Sequence, residues 1–167
     1  YENWPEHWQR RFKATPKAPV VWTYPELGED LSGQGDKARA SCLRELIGTL
    51  GLPKGSSAFW PLSLPPLPSA TKEKDPVAQN QASAQSPYFR AGLALLDPKA
   101  LILFGNDSIT ATGLGLALAG TFTQTVVQGR LYIALPDFLS LSGNKNIFVK
   151  TSIYLRSSLS KLPGILK

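Results

Sequence analysis

One cysteine, one histidine and no methionine occur among the 167 residues, and these scarcities exclude a good deal. A lone thiol, Cys42, cannot build an intrachain disulfide framework or a zinc or iron–sulfur site that needs several thiolates. The chain therefore reads as belonging to a reducing, cytoplasmic compartment, with no metal and no cofactor. No run approaches the roughly 18–20 apolar residues that span a bilayer, and no signal peptide opens the chain, so no membrane association is expected. Dense Lys/Arg runs are also missing, although 18 basic against 12 acidic residues leave a net charge of +6. That excess suits an acidic partner, DNA included, or plain solubility. Phosphate-cradling loops are wanting too: Gly113-Leu114-Gly115 lacks both the Walker lysine and the dinucleotide spacing. Ser56, Ser57 and Ser140 have no Gly-x-Ser-x-Gly context for nucleophilic chemistry.

What is present reads as one domain over residues 1–167, large enough to bury a core without staples. Residues 1–18 form an N-terminal helix and linker, in which Trp4, Trp8 and Phe12 recur every four residues on one face. Val20–Tyr24 is a β-branched and aromatic strand that Pro25 ends. The loop Pro25–Gly35 comes next, and Asp36 then caps a helix with the stripe Leu43, Leu46, Ile47, Leu50. Gly51 and Pro53 stop that helix, and Ser57–Leu62 is a second short strand. Residues 61–87 are Pro-rich and aperiodic, a surface loop that is itself a candidate docking segment. A helix from Tyr88 breaks at Asp97-Pro98, and Ala100–Phe104 is the unbroken apolar run of a strand buried on both faces. Gly105-Asn106-Asp107 turns the chain, and Asp107 or Ser108 caps a further helix. A strand near Gln124–Val127 precedes Arg130–Leu135, and a last helix fills roughly Asn144–Lys161.

This alternation predicts a three-layer α/β/α domain with a short, mostly parallel sheet of about four strands. Ligands of such sheets sit where strands run out into loops.

Three segments carry a family resemblance. Val20–Gly33, with its strand, Pro25, Gly28 and Glu29-Asp30, resembles the first motif of bacterial and archaeal uracil-DNA glycosylases. Pro98-Lys99 with Ala100–Phe104 and Gly105 is similar to that superfamily's third strand. Leu135-Pro136-Asp137 sits where the family carries His-Pro-Ser. The resemblance spans Val20 to Leu162 and implies a uracil-DNA glycosylase-like fold with its catalytic motifs degenerate. Aligned on Pro25, Thr23 occupies the position of the acid that handles the attacking water, and Leu135 replaces the histidine that stabilises the departing base. Cleaving a glycosidic bond needs both a group that places water and a donor for the charge developing on the base. The resemblance therefore implies a diverged, non-catalytic protein that binds nucleic acid or a protein partner through the former active-site face.

If activity survives, as an N-glycosidic hydrolase with a relocated acid, Glu29 or Asp30 is the candidate base. Both can equally satisfy loop amides. Asn106 and Asp137 are candidate ligand contacts, or helix caps. Tyr24, Trp60 and Phe138 could stack on an extruded base, or fill the core. Arg130, Lys145 and Lys150 could meet a DNA backbone, a role the family gives to this end of the molecule, or simply face solvent. His7 reads as a solvated helix residue.

Overall fold

The computed structural model describes residues 3–31, 33, 35–64, 86–105 and 120–162. Asn106, Asp107, Ser108, most of 113–120 and most of the 61–87 loop lie outside the described residues.

The described elements are α1 (Glu6–Ala14), β1 (Val20–Thr23), α2 (Leu27–Leu31), α3 (Lys37–Leu50), β2 (Ser57–Phe59), α4 (Ser86–Leu96), β3 (Ala100–Phe104), β4 (Thr123–Val127), β5 (Arg130–Leu135), α5 (Phe138–Gly143) and α6 (Lys145–Ser160). Five strands form one sheet in the order β2-β1-β3-β5-β4. β2, β1, β3 and β5 run parallel, and β4 pairs antiparallel with β5. The sheet is mostly parallel, as the sequence predicts, with five strands rather than about four and one antiparallel edge. The extra edge arises at Gln128-Gly129, where φ values of 52° and 79° make a tight hairpin that folds β4 back onto β5.

Side-chain alternation sorts the core into two layers. Val20, Trp22, Ile102 and Ile133 face one side, against Leu43 and Leu46 of α3, Leu141 of α5 and Leu155 of α6. Val21, Leu101, Leu103 and Tyr132 face the other, against Trp8 of α1 and Phe89 and Leu93 of α4. All five residues of β3 are buried, as a strand covered on both faces must be. The result is a three-layer α/β arrangement around a mostly parallel sheet.

Local chemistry accounts for the helix ends. The Asp36 carboxylate accepts from the Ala38 amide at 2.8 Å and starts α3, while Gly51 at φ 63° closes it. Asn144 caps α6 through the amides of Asn146 and Ile147. Pro5 precedes α1, whose Glu6 and Arg11/Lys13 complement the helix dipole. Trp4, Trp8 and Phe12 share a face, as their spacing predicts, and meet the Trp60 ring at centroid distances of 6.3, 5.3 and 5.9 Å. Among the described residues no helix is long and apolar enough to cross a membrane.

Candidate functional site

Between β1 and β3 the chain order reverses: β1 leads away to β2 on one side, and β3 to β5 on the other. A cleft of about 520 Å³ opens there, beyond the carboxyl ends of β1, β3 and β5. This is where the topology of an open parallel sheet leaves a crevice. Pro25 and Glu26 come from the exit of β1, Phe104 and Gly105 from β3, and Asp137 and Phe138 from β5; Asp36 and Arg39 of α3 close the side.

Each exit has a local reason. Gly105 sits at φ 87°, a conformation L side chains rarely adopt, and its amide donates to the Leu135 carbonyl at 2.8 Å, tying the β3 and β5 ends together. Asp137 accepts from the Ser140 amide at 2.8 Å and caps α5, which swings Phe138 onto the cleft wall. The Phe138 ring stacks on Phe104 at 4.5 Å and meets Tyr24 edge-on at 4.8 Å.

Behind this wall lies a carboxylate with every face engaged. Arg39 grips Asp30 through Nε at 3.0 Å and a terminal nitrogen at 2.5 Å, and the Tyr24 hydroxyl donates to it at 2.5 Å. The Asp36 amide adds a backbone donor. Burial alone would raise the Asp30 pKa, but its bonds from Arg39 and Tyr24 outweigh that and hold it below the ordinary 3.8. The same contacts push the Tyr24 hydroxyl up, burial first and Asp30 second, and push Arg39 up through its bond to Asp30. Asp30 is thus a clamped ion-pair partner, its carboxylate oxygens committed to Arg39, Tyr24 and the Asp36 amide. Glu29 is exposed on α2 and is not among the residues lining the cleft.

The remaining candidate residues scatter. Asp137 and Phe138 line the cleft, and Tyr24, 2 % exposed, supports Phe138 from the core. Trp60 is a correction: it is fully buried in the layer of α1 and α4, on the opposite face, with Nε1 donating to the Phe89 carbonyl at 3.0 Å. It cannot stack on anything in the cleft. Arg130 lies apart from the cleft. It begins β5, at the far end of the sheet, where it donates to the Pro98 carbonyl at 2.9 Å and to Asp97 at 3.0 Å. Lys145 and Lys150 are exposed on α6, with the Lys150 ammonium 4.5 Å above the Phe122 ring. His7 is half-buried beside Trp8, and burial lowers its pKa.

Thr23 and Leu135 are both fully buried. Leu135 packs in the layer of α3, α5 and α6, whereas strand alternation turns Thr23 with Val21 toward α1 and α4. The Thr23 hydroxyl has no hydrogen-bond partner among the described residues. Sequence reasoning missed Arg39, Phe104 and Gly105. Only Gly105 carried a local signal, as a glycine closing an apolar strand.

Glu26, Asp36 and Asp137 make the described cleft lining acidic, since the guanidinium of Arg39 is already neutralised by Asp30. Neither a scan against protein-family models nor a search of curated proteins finds a match to the chain.

Proposed function

We propose that this chain is a diverged uracil-DNA glycosylase-like domain that binds through its strand-end cleft and does not cleave glycosidic bonds. The supporting observation is the state of the acids. The carboxylate behind the cleft is clamped by Arg39 and Tyr24, and the positions aligned with the family's water-handling acid and base-stabilising histidine hold buried Thr23 and Leu135 on opposite faces of the sheet. Oxyanion-type donors lost from such a pocket cost on the order of 10²–10³ in rate each.

A protein partner fits the cleft better than phosphate does. Glu26, Asp36 and Asp137 oppose an anion, while the Phe104–Phe138 pair offers an apolar seat. Nucleic acid is the second reading, favoured by the net charge of +6. It would then lie outside the cleft, along Lys145 and Lys150.

Base release from uracil- and hypoxanthine-containing oligonucleotides, single- and double-stranded, tests the first claim. No release is expected. Release that vanishes in Glu29→Gln or Asp30→Asn overturns the reading. Oligonucleotide affinity measured at about 50 and 200 mM salt decides between the occupants, because phosphate contacts weaken steeply over that range.

A further inference from the structure

No acidic residue occurs after Asp137 in the sequence, while Lys145, Lys150, Arg156 and Lys161 do. On α6 these charges have a definite arrangement. Positions 145, 149, 152 and 156 line one strip of the helix and 146, 150, 153 and 157 the neighbouring one. Val149 and Ile153 occupy the middle of the two strips and are 46 % and 65 % exposed. Lys145 stands before them, Lys150 beside them and Arg156 beyond them, all exposed; Arg156 also donates to the Thr49 carbonyl, and the Lys150 ammonium lies over the Phe122 ring. Two shallow grooves flank Ile153, one bordered by Asn146, Val149 and Lys150 and the other by Ser152, Arg156 and Ser160. The opposite side of α6 is fully spent: Thr151, Leu155, Ser158 and Leu159 are buried in the core.

We infer that this outer face of α6 is a docking surface for an acidic amphipathic helix of a partner protein. The charge pattern argues for the occupant. An apolar centre with cations around it, and no carboxylate among the described residues that line the two grooves, matches a helix whose apolar residues at i, i+3/i+4 and i+7 are flanked by Glu and Asp. A phosphate backbone would use the cations but leave Val149 and Ile153 uncovered. The surface is separate from the cleft, and the inference does not depend on the reading of the cleft.

A synthetic 16-residue amphipathic helix with a Leu stripe flanked by Glu, titrated into the isotopically labelled full chain, tests it. Amide shifts are expected along residues 145–160. Affinity should fall tenfold or more in Ile153→Asp and in Lys150→Glu, and weaken as salt rises. Both positions are exposed, so an unchanged circular dichroism spectrum separates lost binding from lost fold. Three results each overturn the inference: no shifts on α6 at millimolar peptide, equal binding by a peptide with Gln in place of Glu, or displacement of the peptide by an equimolar duplex oligonucleotide, which would assign the face to nucleic acid.

Discussion

Arg39 and Asp30 form a two-point ion pair nine residues apart in sequence, with side chains only 16 % and 14 % exposed. The pair joins the first turn of α3 to the end of α2 and so fixes one wall of the cleft. Removing one partner strands the other charge in a largely desolvated place. Asp30→Ala is expected to lose on the order of 3 kcal/mol in urea unfolding. The double replacement Asp30→Leu/Arg39→Met should be less destabilised than either single change, because no lone charge remains.

The same pair sets an acid limit. Asp30 titrates lower in the folded chain than its ordinary 3.8. Its stabilising contribution is therefore complete above the unfolded value and is lost as pH falls through the folded one. Unfolding midpoints measured downward from pH 5 should drop more shallowly in Asp30→Asn than in the parent chain.

Two glycines of similar appearance should respond oppositely to alanine. A Cβ on Gly92 would lie 2.2 Å from the Trp60 ring, whereas one on Gly48 would meet nothing within 4 Å. Gly92→Ala should cost about 1–3 kcal/mol by overpacking. Gly48→Ala, on the exposed face of α3, should add up to about 1 kcal/mol through helix propensity. Thermal midpoints of the two variants check both signs.

Trp8 and Trp60 touch each other, yet their indole N–H groups differ. Trp60 Nε1 donates to the Phe89 carbonyl, and Trp8 Nε1 is buried without a partner among the described residues. Trp60→Phe should therefore be the more damaging replacement, by about 1 kcal/mol. Chemical denaturation of the two variants measures the difference.

Cys42 should be a slow thiol. It is 8 % exposed, and burial, with the nearby Glu45 carboxylate second, raises its pKa above the ordinary 9.0. Little thiolate forms at neutral pH, and access is poor. Labelling with an aromatic disulfide reagent should be slow in the native chain and accelerate sharply in denaturant.

The elements legible in the sequence are those fixed by local pattern. Ala100–Phe104 reads as a doubly buried strand and is one; Asp36 reads as a cap and is one. The segment Pro25–Gly35 reads as a plain loop, yet Leu27–Leu31 forms a short helix whose Gly28 lies close against the Ser63 backbone, a contact from a distant stretch. The direction of β4 escapes sequence reasoning because Gln128 enters a positive-φ turn that its side chain does not advertise. Trp60 is misplaced for a different reason. Period-two alternation tells which residues share a face, but not which face looks onto the cleft. Asp30 reads as an available acid because the guanidinium that clamps it lies beyond a helix start, where no spacing rule connects the two.

Among the described residues the Phe104 ring stacks near-parallel on Phe138 at the cleft wall, at 26°, and on Trp22 deep in the sheet layer, at 14° and 6.0 Å. A ligand that leans on Phe138 would thus be one ring removed from an indole sealed from water. Trp22, one of four tryptophans in the chain, is therefore the indole whose emission is expected to change when the cleft fills.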